Sequence, residues 1–182
     1  MMQAFQGKWA GRFIAAAIIQ GLIAVIITVL IIDPTTYFNS TGLWYSASKV
    51  IAGNGAGTWL FVGYILFLVI GVMGTAVTAL FYFYIEGIQG KVYKGLTNYL
   101  AAGHLFLMVG GTDLAMGLMM RGGYLAGWAS AAVSSGGEGL NSGQIHVQIL
   151  GALTDPIGFF ALLAGLGCLL GGLGFVLRSR SK

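Results

Sequence analysis

The chain has 182 residues, of which 57% are hydrophobic and only 8% are charged, and its formal net charge is +4 at pH 7. A soluble domain usually carries about 25% charged residues, so this composition excludes a water-facing surface of ordinary size. A mean hydropathy of +0.87, with 31 glycines lying mostly inside apolar runs, is typical of packed membrane helices.

Two plain apolar runs open the chain. A membrane helix needs about 20 apolar residues, and residues 13–32 supply them before Asp33-Pro34, where proline disfavours helix in the residue before it. A cleaved signal peptide would have a shorter apolar core with an A-x-A-like site after it, which this run lacks. Residues 59–85 form the second run, and Glu86 closes it.

The connection between these runs, residues 33–57, is polar and contains two short motifs. Asn39-Ser40-Thr41 fits a glycosylation sequon, which a single match does not establish. Gly42-Leu43-Trp44 is similar to part of an outer-loop motif of the claudin family, in which a pair of cysteines follows. Tyr45-Ser46-Ala47-Ser48 stand in place of that pair. The resemblance covers three residues, so it implies no function for this chain.

The third run is less uniform. Residues 96–120 contain His104 and Asp113, and the sequence predicts that the helix ends at Arg121. Residues 122–143 are rich in glycine and serine and too polar to span. They are compatible with either a re-entrant segment or an amphipathic helix on the membrane surface.

The fourth run, residues 145–177, exceeds the bilayer core and is interrupted by Asp155-Pro156, so we expect it to tilt, kink or project. Together the four runs predict an all-α integral membrane protein. Its fold is a four-helix bundle that forms one transmembrane domain over residues 1–182.

Basic residues are unevenly distributed between the two sides that four crossings create. Seven lie on the side of the two termini and the turn at 86–95, against two on the other side: Lys8, Arg12, Lys91, Lys94, Arg178, Arg180 and Lys182 against Lys49 and Arg121. Cytoplasmic segments carry the excess of lysine and arginine. This count predicts cytoplasmic N- and C-termini, two outward loops, and a multi-pass protein of the cytoplasmic membrane.

Ionisable side chains inside a bilayer are costly and mark candidate functional sites. His104 to Asp113 and His146 to Asp155 have the same spacing, in HLFLMVGGTD and HVQILGALTD, an echo that common ancestry or chance can produce. Because the last two spans are antiparallel, we expect the histidines more than about 15 Å apart in depth. The two aspartates are expected nearer mid-membrane, where they can meet.

Three interpretations of these residues stay open. His104 and His146 are candidate haem ligands. Their expected depths differ too much for both to bind one haem, which favours a haem or copper that is held by one of them and by a second ligand from another subunit. Asp113 and Asp155 are candidates for proton or ion conduction, since paired buried carboxylates can share a proton. The plainest interpretation is structural, with each of these side chains bonded to a neighbouring helix.

Small residues form faces on the last two spans. Gly167 and Gly171 make a GxxxG pattern in the fourth span, and Gly110 and Gly111 contribute to a comparable face of small residues in the third span. Such faces admit close packing of a neighbouring helix, in this chain or in another protein. The surplus of glycine favours an oligomer or a larger complex.

No catalytic motif accompanies these features. The sequence has no HExxH, P-loop, nucleophile elbow or strand-linked GxGxxG, no Cys/His metal spacing around its single cysteine, Cys168, and no basic groove for nucleic acid. We therefore expect no enzymatic activity, no metal and no intrinsic cofactor, with lipid and other membrane subunits as partners.

The resulting prediction is an accessory or structural subunit of a larger membrane complex that packs through its Gly-rich third and fourth spans. By analogy of size and composition, the host is a respiratory or other redox complex, a haem-containing oxidoreductase. One alternative is a small oligomeric transporter or channel using Asp113 and Asp155. The other is a membrane haem-binding electron carrier.

Overall fold

A computed structural model describes residues 7–32, 47–53, 55–133 and 137–180, and across these ranges the chain is helical with no strand. Four helices are long and apolar enough to cross a membrane, and a short helix precedes the second of them: α1 (Lys8–Ile32), α2 (Ala47–Ala52), α3 (Gly55–Ile88), α4 (Leu96–Ser130) and α5 (Ser142–Arg180). The prediction of an all-α fold with four helices long and apolar enough to span a membrane is confirmed. The Asp33-Pro34 stop, the Asn39 sequon and Gly42-Leu43-Trp44 lie outside the described residues.

Helix α4 is longer than predicted. It continues through Arg121 to Ser130, so the prediction that it ends at Arg121 is wrong. The reason is packing of small buried residues against preceding segments. A Cβ added to Gly123 would lie 2.6 Å from the carbonyl carbon of Trp59, and one added to Gly127 would lie 3.3 Å from the Cα of Gly57. Tertiary contact therefore outweighs the weak helix propensity of glycine.

Helix α5 begins at a capping box and passes through Pro156 without a break. The Asn141 side chain accepts a hydrogen bond from the Gln144 amide, and the Gln144 side chain accepts one from the Asn141 amide, both at 3.0 Å. The backbone stays helical through Pro156 as far as Arg180, which is common for proline in membrane helices.

The long helices contain π-helical turns, which are rare and frequently found at functional sites. Two lie in α3, at Phe67–Met73 and Tyr84–Ile88. One follows His104 in α4, at Leu105–Val109, and another begins at His146 in α5, as His146–Leu150. The two echoed sequence segments therefore share this local distortion.

The described residues form two compact units, which are considered separately. The first contains the residues up to Gly21, Leu68–Asp113 and the residues from Phe160 onward, and the second contains Leu22–Phe67 and Leu114–Phe159. The core of the first unit combines four aromatic side chains, Trp9, Phe13, Tyr82 and Tyr93, with Ile85 and three alanines. In the second unit Ala126, Ile145 and Leu150 are buried, with Trp59 packed beside them.

Lipid-facing and buried positions are distinguishable along α1. Its buried side chains recur at helical spacing and include Phe13, Ala17 and Gln20, whereas Ile18, Ile19 and many other large apolar side chains are exposed. The exposed face of a helix in contact with water would be polar. The exposed face of α1 is apolar, which is the distribution expected of a helix in contact with lipid.

Candidate functional site

His104 is the buried ionisable side chain at the centre of the first unit, with 7% of its surface exposed. Its Nδ1 lies 3.1 Å from the Tyr82 hydroxyl and its Nε2 lies 3.2 Å from the Met108 sulfur. Because a thioether sulfur can only accept, both contacts are hydrogen bonds in the tautomer with the proton on Nε2, in which Nε2 donates to Met108 and the Tyr82 hydroxyl donates to Nδ1. Sequence reasoning selected His104 but neither of these partners.

An aromatic cluster surrounds this imidazole. The Phe13 and Tyr82 rings stack with centroids 4.8 Å apart, the His104 ring lies 5.0 Å from Phe13, and Tyr93 lies 5.1 Å from Tyr82. Tyr93 lies beyond the end of α3, and burial raises its pKa to about 12, with the Glu86 carboxylate acting in the same direction and Arg178 against it. Tyr93 is therefore a neutral phenol at physiological pH.

An apolar groove borders His104. Its volume is about 380 Å³ and its lining includes Thr78, Met108, Cys168 and Phe175. That volume falls in the range of small-molecule sites, roughly 300–1,000 Å³. The groove can receive an apolar side chain, a lipid tail or a ring system, and His104 and Thr78 are polar residues among its lining.

Gly171 and Gly167 bring α5 against this cluster. A Cβ at Gly171 would overlap the His104 ring, and one at Gly167 would lie 3.0 Å from the Met108 Cα. Gly111 of α4 is equally close to α5, since its Cβ would lie 2.6 Å from the Ala164 nitrogen. The GxxxG face thus packs on a helix of the same chain.

The two predicted aspartates have different environments. In the first unit the Gln20 amide nitrogen donates to Asp113 Oδ1 at 2.6 Å, and the Gln20 side chain is buried. Asp155 belongs to the second unit, where its side chain is exposed. His146 also lies in the second unit with an exposed side chain. Asp113 is therefore the one of these three with a buried bonding partner.

A charged contact holds the start of α1. The Glu86 carboxylate accepts hydrogen bonds from the Trp9 amide at 3.0 and 3.1 Å and from the Ala10 amide at 3.0 Å. These amides belong to the first helical turn, which has no internal acceptors, and a negative charge there is favourable for the helix dipole. The Trp9 indole also donates to Asn98 Oδ1 at 3.1 Å.

Sequence reasoning missed Gln20, Tyr82, Met108 and Glu86 as members of these contacts. One signal was present, because Gln20 is the one amide side chain in the apolar run 13–32, and polar side chains in a span usually hydrogen-bond to another helix. Comparison with protein families, curated proteins and solved structures finds no match to this chain. Functional inference therefore rests on the geometry of its own side chains.

Replacing Tyr82 with phenylalanine tests the hydrogen bond to His104. The ring stack on Phe13 is retained while a buried imidazole nitrogen loses its partner, so we expect a loss of about 1–2 kcal/mol in unfolding free energy. Tyr84→Phe, at an exposed position, is the matched control and should have no measurable effect. SDS titration in mixed micelles measures both, and equal stability of the two variants would contradict the hydrogen bond.

Proposed function

We propose that this chain is an accessory subunit of a larger membrane complex. The observation that carries the proposal is a second small-residue face on α5, which we call the outer small face: Ala161, Gly165, Cys168 and Gly172. All four are exposed, and a Cβ added to Gly165 or Gly172 would meet nothing within 4 Å. The neighbouring face of α5, with Gly167 and Gly171, already packs on α4.

The occupant that this face fits is a transmembrane helix of a partner subunit. Apolar surface provides no driving force between helices in lipid, so association depends on close packing, which small residues permit. Ala161, Gly165, Cys168 and Gly172 alternate by four and three residues, which keeps them on one side of the helix. Cys168 and Gly172 also border the groove beside His104, so a large side chain of the partner helix can enter it.

For the host we propose a respiratory or other redox complex, a haem-containing oxidoreductase, in which this chain carries no chemistry. The support is its small size, its apolar composition and the absence of catalytic motifs. We place it in the cytoplasmic membrane with both termini in the cytoplasm and two outward loops, which the excess of basic residues on the side of the termini supports.

A membrane haem-binding electron carrier is the second candidate, because His104 borders the apolar groove. Ligation of an iron by Nε2 would require Met108 to move from that nitrogen, since the two atoms are 3.2 Å apart. A Soret band in the purified chain that is lost in His104→Phe would favour the carrier over the accessory subunit.

Enlarging the outer small face should release the partner. We expect Gly165→Leu and Gly172→Leu each to reduce co-purification of large membrane subunits in mild detergent at least tenfold, because a leucine side chain prevents close approach of the partner helix. Gly11→Leu is the matched control, since Gly11 is also exposed with nothing within 4 Å of its Cβ.

Native mass spectrometry of tagged chains expressed in their own membrane measures how much partner subunit each variant retains. The thermal midpoint of each isolated variant is expected to match that of the unmodified chain, so a loss of association is not a loss of folding. A stable solitary monomer from the unmodified chain, or equal losses in all three variants, would overturn the proposal.

A further inference from the structure

Five side chains in the first unit have an oxygen without a hydrogen-bond partner among the described residues, and three of these lie inside α1, α3 and α4, whereas Gln89 and Tyr93 lie beyond the end of α3. The three inside the helices are Gln20, Thr75 and Thr112, with 1%, 1% and 2% of their surfaces exposed, and the unpaired atoms are Gln20 Oε1 and the two threonine hydroxyls. A buried polar atom without a partner costs roughly 1–3 kcal/mol. Three such oxygens in one unit of a membrane protein call for a common explanation.

The register of α1 against α3 places two of them together. The Phe13 ring stacks on Tyr82, and a Cβ added to Gly21 would lie 3.9 Å from the Val72 side chain, which fits the same antiparallel register. Gln20 lies seven residues after Phe13. It therefore faces the position seven residues before Tyr82, which is Thr75.

The register of α3 against α4 places the third of these side chains, Thr112, near the other two. The Thr78 hydroxyl meets the Met108 sulfur at 3.8 Å, and these two helices are also antiparallel. Thr75 lies three residues before Thr78, and Thr112 lies four residues after Met108. The two threonines are therefore within one helical turn of the same level.

Asp113 completes the group. It follows Thr112 in the chain, and its carboxylate accepts the Gln20 amide hydrogen bond at 2.6 Å. Within the described ranges Asp113 forms no ion pair. The basic side chains of the first unit lie toward its helix ends: Lys8, Arg12, Lys91, Lys94, Arg178 and Arg180. A carboxylate in this position needs compensation of its charge.

We propose that Gln20, Thr75, Thr112 and Asp113 bind a monovalent alkali-metal cation. Carboxylate, amide carbonyl and hydroxyl oxygens are hard ligands, which suit hard cations over soft ones. One carboxylate balances one positive charge, whereas a divalent ion would leave an uncompensated charge inside the bilayer, at a large free-energy cost. The cation also provides a partner for all three unpaired oxygens. This site is independent of the outer small face.

Cation-dependent stability and sodium binding test the site. In mild detergent at constant ionic strength, we expect the thermal midpoint of the purified chain to be higher in sodium or potassium chloride than in choline chloride, because ligand binding to the folded state stabilises it. Radioactive sodium is expected to bind with a stoichiometry near one. Magnesium and calcium chlorides are expected to have no specific effect.

Two kinds of variant separate the site from general stability. Thr75→Val and Thr112→Val remove an unpaired hydroxyl without changing side-chain volume, so both should fold as well as the unmodified chain in choline chloride while sodium affinity falls at least tenfold. Asp113→Asn should abolish sodium binding. The matched controls are the echoed positions of the exposed second segment, Thr154→Val and Asp155→Asn, which should bind sodium normally.

Several outcomes would overturn the proposal. The first is equal stability of the unmodified chain in sodium, potassium and choline. The second is sodium binding that survives Asp113→Asn, and the third is a loss in the control variants equal to that in the site variants. In those cases buried water and a protonated Asp113 satisfy the three oxygens. Co-purification of partner subunits should be unchanged in Thr75→Val and Thr112→Val, so failure here is distinguishable from failure of the proposed accessory function.

Discussion

Replacing Gly171 with alanine is expected to lower the unfolding free energy by about 3 kcal/mol, at the upper end of the range for overpacked cores. The added Cβ would overlap the His104 ring. That ring cannot turn away without cost, because Tyr82 and Met108 hold its two nitrogens. Relief therefore requires α5 to move away from α4, which removes contacts along the whole helix pair.

Gly172 provides the matched control for this experiment. It is the next residue in the chain, its side is exposed, and a Cβ there would meet nothing within 4 Å. Gly172→Ala should therefore change stability by no more than about 0.5 kcal/mol in the isolated chain. SDS titration in mixed micelles measures both variants. If Gly171→Ala were as stable as Gly172→Ala, the close approach of α5 to His104 would be refuted.

Replacing Glu86 with glutamine is expected to cost about 2 kcal/mol. The carboxylate accepts three hydrogen bonds from the Trp9 and Ala10 amides, and glutamine has only one oxygen and no charge for them. The amides left without a partner belong to the start of α1, so we expect that end of the helix to fray. Glu86→Ala should cost more, since it removes the remaining acceptor.

Hydrogen exchange of the Trp9 and Ala10 amides, measured by mass spectrometry of the overlapping peptides, reports this fraying directly. Glu138→Gln is the control, because Glu138 is exposed and lies in the segment between α4 and α5. It should leave both the exchange rates and the unfolding free energy unchanged. Unaltered protection of the α1 start in Glu86→Gln would show that the carboxylate does not cap the helix.

The four membrane-crossing helices were predictable from sequence, and their ends were not. Hydropathy is a local sum over about 20 residues, and each run exceeds what a bilayer needs. The end of α4 depends instead on contacts with distant segments. Arg121 is exposed and does not end the helix, because Gly123 and Gly127 after it pack against residues before residue 61. The pattern of polar and apolar residues along the chain does not indicate such contacts.

The candidate site was predictable in part. His104, Asp113, Gly167 and Gly171 were recognisable as rare ionisable groups or small residues in apolar spans. Their partners were not recognisable, since Gln20 reaches Asp113 across 93 residues of sequence and nothing local marks that pairing. Asp155 has the same local sequence signal as Asp113, yet its side chain is exposed. Equal spacing in the two echoed segments did not imply equal environments.

What the sequence by itself determined is that this is an all-helical protein with four helices long and apolar enough to span a membrane, because composition and run length suffice for that conclusion. Only the tertiary structure decided which face of each helix is buried. In water a polar face would reveal the buried one, but helices in lipid are apolar all round. For that reason the inward positions of Gln20, Thr75 and His104, and the division of the α5 glycines between a buried and an outer face, emerge only once the helices are packed.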